Sequence, residues 1–223
     1  MKDRTTEMFR RKICGIRSAT DLATAIDAGV DAIGVICGVT HTSEDALSPA
    51  SARDLVRLVP RSVRSVLVTH LTDADSVLAL ADSVGVDVIQ LHGEISLDTV
   101  GAVRAATSRQ ILKAVHVVGP EVVANIEALL HFCDGLLLDS RTGDRLGGTG
   151  RTHDWTISRE IVDVVAGRRP VILAGGLTPA NVGVAIRTVG PDGVDVNSGV
   201  EDSRGDKDQA LCSAFVSAAD FGG

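Results

Sequence analysis

The chain contains no tyrosine, one tryptophan and four phenylalanines, so aromatic residues make up 2% of its 223 positions. A surface built to stack nucleobases is thereby excluded, because such surfaces depend on aromatic platforms. Positive charge is also scarce, with 22 Lys and Arg against 29 Asp and Glu and a net charge of −7. A general nucleic-acid partner needs a basic face that displaces counterions, and this chain has none to offer. An anionic ligand would have to be held by local backbone donors. The four cysteines (Cys14, Cys37, Cys133 and Cys212) are scattered, with no CxxC pair and no zinc spacing. That pattern argues against a disulfide scaffold and favours a reduced, cytoplasmic protein. No run approaches the length of a membrane span, and the opening MKDRTTEMFRRK lacks the apolar stretch of a signal peptide.

What remains is ample aliphatic material. Hydrophobic residues make up 44% of the chain, enough for one large core, and the length suits a single barrel-sized domain. Residues 1–11 read as an N-terminal extension and 12–223 as that domain. Short Val/Ile/Leu-rich runs recur at 12–16, 32–37, 63–69, 88–92, 111–118, 135–139, 170–175 and 193–198. They are continuous rather than alternating, as parallel strands covered by helices require. Helix signals lie between them. Ser18 with Asp21 forms a capping box and Gly29 suits the left-handed stop. Ser48-Pro49 and Thr178-Pro179 place a cap before a first-turn proline. Thr72 with Asp75 and Ser96 with Thr99 mark further starts, and Gly85 ends a helix near 72–84. Helices near 119–130, 155–167 and 207–218 complete the alternation. The expected fold is α/β, a (β/α)8 TIM barrel, with a doubly wound open sheet as the competitor.

In such a barrel ligands bind at the C-terminal ends of the strands. The residues there are Cys14, Cys37, His70, His92, Asp139, the Gly175-Gly176 pair and the Ser198-Gly199 pair. Glycine-bearing segments at 147–150, 174–177 and 197–200 let backbone N–H groups approach a ligand, and the loops after strands seven and eight are the usual phosphate site of the fold. A phosphorylated small molecule is therefore implied; the bland alternative is a set of tight turns. Cys14 follows Lys12 on a strand end, where a cationic neighbour can lower a thiol from its ordinary value near 8.5 and make it a base. The alternative is a small buried hydrophobe, and Cys37, Cys133 and Cys212 are read that way. Asp139 closes the apolar run GLLLD, placing a carboxyl at the barrel mouth, fit for acid work or for capping a loop. His70 and His92 have no third partner at metal-ligand spacing, so no metal site is expected and both read as hydrogen-bonded neighbours.

Taken together, KICGI (12–16), AGVDAIGV (28–35), QLHG (90–93), LLLDS (136–140), GGTGRTHDW (147–155), LAGGLTPANV (173–182) and DVNSGVED (195–202) resemble the phosphoribosylanthranilate isomerase family of tryptophan biosynthesis. They run in that family's order over nearly the whole chain. The resemblance implies an Amadori rearrangement that uses no metal or other cofactor, with Cys14 as general base and Asp139 as general acid. It places phosphate contacts on Gly148, Gly175, Gly176, Ser198 and Gly199, and it puts Asp195 near the ligand, with His92 a candidate for the ribose or aglycone. A phosphosugar is the expected small-molecule partner of a monomer or homodimer. There are also departures. The family's SPRYV-like stretch, whose arginine grips the anthranilate carboxylate, is here Ser43-Glu44-Asp45-Ala46-Leu47, so Asp45 stands where the arginine should be. The strand-three end is Val68-Thr69-His70 rather than the usual FVN. Arg17 replaces a usual threonine and could serve as a relocated carboxylate clamp. Three readings follow: the family isomerase, a divergent isomerase of another phosphoribosylamine or related phosphosugar, and a non-catalytic sugar-phosphate-binding barrel.

Overall fold

The computed structural model describes residues 8–40, 43–140 and 154–221. Eight parallel strands form the barrel: β1 (Arg11–Ile13), β2 (Ala32–Cys37), β3 (Arg64–Thr69), β4 (Val88–Leu91), β5 (Gln110–Val117), β6 (Gly135–Ser140), β7 (Val171–Leu173) and β8 (Gly193–Val196). Each pairs with the next, and β8 pairs with β1, which closes the sheet. The helices between them are α1 (Ala19–Asp27), α2 (Pro49–Val56), α3 (Ala74–Val84), α4 (Leu97–Ala106), α5 (Ile126–Leu129), α6 (Trp155–Val165), α7 (Val182–Val189) and α8 (Gln209–Ala218). The (β/α)8 barrel expected from the alternation is the observed fold, and the open-sheet competitor falls.

One feature of the rim escaped the sequence. A two-residue strand, Ala46–Leu47, pairs with Ile36 and Cys37 at the end of β2. It occupies the edge of β2 that β1, only three residues long, leaves uncovered. Asp45 is thereby placed at the mouth, next to the end of β1.

Side chains sort by the two-residue period of each strand. One set packs outward against the helices; Ile33, Leu67, Ile89, Leu136, Leu173 and Val194 belong to that main core. The other set fills the barrel interior: Phe9, Ala32, Val66, Val88, Leu112, Ala114, Leu137, Ile172 and Ala174. Phe9 is buried at the base with Met8 packed against the same cluster, so the packing begins ahead of the Lys12 boundary drawn from sequence. Higher in the lumen, the same inward positions turn polar. Lys12 and Cys14 lie two residues apart on β1, Gln90 and His92 follow Val88, His116 follows Ala114, Asp139 follows Leu137, and Asp195 follows Gly193.

The helix starts show local chemistry at work. The Ser18–Asp21 capping box is complete, and Ser48, with Pro49 behind it, accepts from the Ser51 N–H. Ser96 caps α4 through the Thr99 N–H. Gly85 stops α3 at φ +82°, and Gly29 takes φ +87° after α1. Two starts are corrected. The cap of α3 is Asp73, whose carboxylate accepts from the Ser76 N–H, not Thr72. Thr178-Pro179 begins no helix: the Asn181 side chain accepts from the Thr178 N–H and donates to the Gly176 carbonyl. That closes a turn, and α7 starts only at Val182. The element near 119–130 is a 3-10 turn, Pro120–Asn125, running into the short α5.

Candidate active site

Two polar walls face each other across the mouth. The first spans β8 and β1. Lys12, wholly buried, donates to Asp195 Oδ2 at 2.8 Å. Cys14 lies beside the same ammonium, whose charge favours the thiolate. Gly34 on β2 makes room for both, since a Cβ there would sit 2.8 Å from Cys14 Sγ and 2.9 Å from Lys12 Nζ. Burial works against the charge on Lys12, but Asp195 and Cys14 more than offset it, and the ammonium is held above the usual lysine value. For Cys14 the balance is reversed. Burial pushes the thiol up, and the opposing pull of Lys12 recovers only part of that. The cationic neighbour expected from sequence is present, yet its effect is outweighed. Asp195 is likewise pushed up by burial against the pull of Lys12, and its Oδ1 is buried with no hydrogen-bond partner.

The second wall spans β4 to β6. His92 Nε2 lies 3.2 Å from Asp139 Oδ2, and Gln90 Nε2 lies 3.0 Å from His92 Nδ1. His116, opposite Asp139 in the β5–β6 register, places its Nε2 3.1 Å from the His92 carbonyl. His70 and His116 flank the His92 ring at centroid distances of 5.3 and 5.2 Å. Burial first, and then the His92 ring, depress His116 to a pKa of about 4. The sequence found no third partner for a histidine ligand set. Here His92, His116 and Asp139 bring one ligand atom each to within 4.8 Å of one another.

The loops after β7 and β8 complete the mouth. Gly175 and Gly176 adopt φ of +81° and +66°. A Cβ on Gly175 would come 2.3 Å from Ser140 Oγ and 2.8 Å from Asp139 Oδ1. A Cβ on Gly199 would lie 1.9 Å from the Leu177 carbonyl, so only glycine lets these two loops touch. Ser198 and Gly199 sit in a short 3-10 turn directly after β8. Gly148 lies outside the described residues.

Asp45 and Arg17 come together at the rim. Arg17 Nε is 3.8 Å from Asp45 Oδ1, and its Nη2 donates to the Gly205 carbonyl and, at 3.0 Å, to Asp206. Asn197 donates to the other Asp45 oxygen at 2.8 Å, while Lys207 holds the Asn197 carbonyl side at 2.7 Å. Gly15, at φ +69°, is the small residue this requires, since its Cβ would come 2.3 Å from Asn197 Oδ1. The Asp45 carboxylate is therefore engaged by its own neighbours on both oxygens. Reasoning from sequence named Lys12 only as the cationic neighbour of Cys14, and it missed Gly34, Gln90, His116 and Asn197 as site residues.

The model of the N-(5'-phosphoribosyl)anthranilate isomerase family matches residues 11–218. The chain belongs to that family. Among relatives bearing the family's name, one from Methanosarcina mazei is 42% identical, over 95% of this chain and 94% of its own. One from Haloferax volcanii is 43% identical, over 95% and 93%. Solved members share the barrel. That of Thermotoga maritima superposes with a TM-score of 0.81 at 32% identity, covering 95% of this chain and 98% of that one. Another holds reduced 1-(o-carboxyphenylamino)-1-deoxyribulose 5-phosphate and superposes at 0.78 with 30% identity over the same shares.

Proposed function

We propose that this chain isomerises N-(5'-phosphoribosyl)anthranilate to the corresponding 1-deoxyribulose 5-phosphate, with Cys14 as general base and Asp139 as general acid. The observation that carries the reading is the pairing of unlike groups on the two walls. A thiol beside a fixed ammonium stands on β1, and a carboxyl beside an imidazole stands three strands away on β6. Separate acid and base steps need groups placed on different sides of one sugar.

In this mechanism Asp139 gives a proton to the ribose ring oxygen as the C1'–O bond breaks, leaving a Schiff base. Cys14, as thiolate, then takes the C2' proton, and the enolamine tautomerises to the ketone. Protons move and no net oxidation occurs. Lys12 supplies the positive charge that offsets part of the cost of burying the thiolate, and Asp195 fixes that ammonium in place. Asp139 Oδ1 faces Gly175, so the acid lies next to the loops to which we assign the phosphate: Gly175, Gly176, Ser198 and Gly199, with Gly148 from the segment outside the described residues. No helix among the described residues is long and apolar enough to cross a membrane. Four buried, free cysteines support a reduced, cytoplasmic setting, and the phosphosugar is the only partner the mechanism needs, in a monomer or a homodimer.

The test is the fluorescence decay of freshly made phosphoribosylanthranilate. Fast decay is expected with the wild-type chain, and Cys14→Ala and Asp139→Asn should each slow it about 1,000-fold, within the range general acid–base groups contribute. Decay that persists in Cys14→Ala would overturn the assignment of the base. No decay with the wild type would overturn the substrate and favour a different phosphoribosylamine.

A further inference from the structure

The imidazoles of the second wall exceed what a carboxyl acid requires. His92 contacts Asp139 directly, but His116 does not serve that contact. Its Nε2 faces the His92 backbone carbonyl at 3.1 Å. A carbonyl only accepts, so Nε2 carries the ring proton and Nδ1 presents a bare lone pair. That Nδ1 is buried and has no hydrogen-bond partner. A neutral imidazole whose far nitrogen is tied to a carbonyl is the arrangement that orients histidine ligands on metals. One ligand atom from each of the His92 ring, the His116 ring and the Asp139 carboxyl lies within 4.8 Å of the others. Around zinc, with bonds near 2.0–2.1 Å, tetrahedral neighbours sit about 3.3 Å apart, so the rings need to close by about an ångström or more.

From this geometry we infer that His92, His116 and Asp139 form a site for a divalent transition-metal ion such as Zn2+, and that its occupation silences the isomerase by taking the acid out of use. Two imidazoles and one carboxylate suit such an ion in donor type, and they leave a fourth position facing the mouth. The site is reached by turning one amide. Gln90 Nε2 donates to His92 Nδ1, so His92 Nε2 carries the proton that points at Asp139. Gln90 Oε1, meanwhile, is buried without a partner. A half-turn of that amide presents Oε1 to Nδ1, which then holds the ring proton, and Nε2 is freed to bind metal. The ring stays neutral in both states. Gln90 is thus a positioning residue that selects between a proton-handling and a metal-ligating His92. The silencing rests on Asp139 being the acid of the proposed reaction; the binding does not.

The experiment titrates the chelator-dialysed chain with Zn2+ by calorimetry and, separately, with Co2+ by absorption. One ion per chain is expected, with a Co2+ spectrum lacking the near-ultraviolet thiolate charge-transfer band. His116→Gln keeps an amide N–H for the His92 carbonyl and should weaken binding at least about 10-fold, the least that losing even an outer partner of a metal ligand costs. Cys14→Ser should bind as the wild type does. In the unmutated chain Co2+ should shift the ring proton signals of two histidines by nuclear magnetic resonance, a readout that holds should the variant fold poorly. Turnover with Zn2+ is compared with each protein's own metal-free rate and should fall with saturation in the wild type but not at the same concentrations in His116→Gln. Absence of binding, a thiolate band, or equal affinity in His116→Gln would overturn the site. Binding that leaves turnover intact would overturn the silencing. A chain that binds Zn2+ but turns over no phosphoribosylanthranilate keeps the site and removes the isomerase reading.

Discussion

The two walls of the barrel mouth handle charge in opposite ways. On the β8–β1 wall an ammonium and a carboxylate are locked together at 2.8 Å in a buried setting, and a thiol is added beside them. On the β4–β6 wall a row of imidazoles leads to a carboxylate, and His116 in that row is held neutral at physiological pH. Fixed charge shapes the environment of a base, whereas groups with movable protons suit an acid. The same lumen therefore presents two chemistries because its strands contribute different residue types at equivalent heights.

The contrast breaks most severely at Lys12. Lys12→Met fills a similar volume but strands the Asp195 carboxylate, whose Oδ1 already lacks a partner. Removing one member of a buried pair costs about 3–5 kcal/mol, to be read from urea unfolding, and Lys12→Met/Asp195→Asn should recover part of it. The ammonium is held above the ordinary lysine value, so its favourable contribution is fully present at neutral pH. It fades only as pH rises past that ordinary value toward the folded one. Asp195 is also raised, here by burial, so it too loses stability as pH rises, from its lower ordinary carboxylate value upward, and at neutral pH its ionised form opposes folding where the Lys12 ammonium favours it. Alkylation of Cys14 should slow in the same variant, because the thiol loses the one strong pull toward ionisation. A loss below about 1 kcal/mol would mean that this wall is not held by paired charge.

How far these walls were legible in the sequence depends on how local each signal is. Strand runs and serine caps are written in consecutive residues, and all eight strands appeared where the Val/Ile/Leu runs stood. Cys14 and Asp139 were visible because each interrupts or ends an apolar run. His116 was not, since it sits inside the apolar run ILKAVHVV and acquires meaning only from the register that sets it opposite Asp139. The partner of Lys12 is 183 residues away, a distance no local pattern encodes. The misplaced helix starts have a smaller cause. Asp73 competes with Thr72 for the same cap, and the Asn181 side chain spends its hydrogen bonds closing a turn after Thr178-Pro179.

A smaller effect sharpens the contrast from the acid side. With its folded value near 4 against an ordinary 6.5, His116 opposes protonation in the native state. The sign is that of a histidine buried neutral: its contribution is present above pH 6.5 and is lost as pH falls toward 4. Each pKa unit is worth about 1.36 kcal/mol, so the loss amounts to roughly 3–3.5 kcal/mol at most. His116→Gln should flatten that part of the stability profile, measured by thermal unfolding between those limits. An unchanged acid limb would show that the imidazole row does not control charge on this wall.

The smallest effect is expected at the rim, where Arg17 links Asp45 to the loop after β8. Its side chain is 21% exposed, and two carboxylates and a carbonyl already engage it. Its charge is thus balanced before any substrate arrives, and little of it is left for an anthranilate carboxylate. Partly exposed pairs of this kind, at the rim and open to screening, contribute about 0–1 kcal/mol. Arg17→Ala should accordingly lower stability by no more than that and change KM for phosphoribosylanthranilate by less than about threefold, equivalent to roughly 0.7 kcal/mol. A rise in KM of tenfold or more, with kcat kept, would identify Arg17 as the carboxylate clamp. Asp45 would then act as the counter-charge that holds the guanidinium until substrate replaces it. In that event Asp45→Asn should tighten substrate binding, because it frees the guanidinium from a competitor. If Arg17 is only a bridge, the same change should loosen the rim instead, and the two outcomes differ in sign.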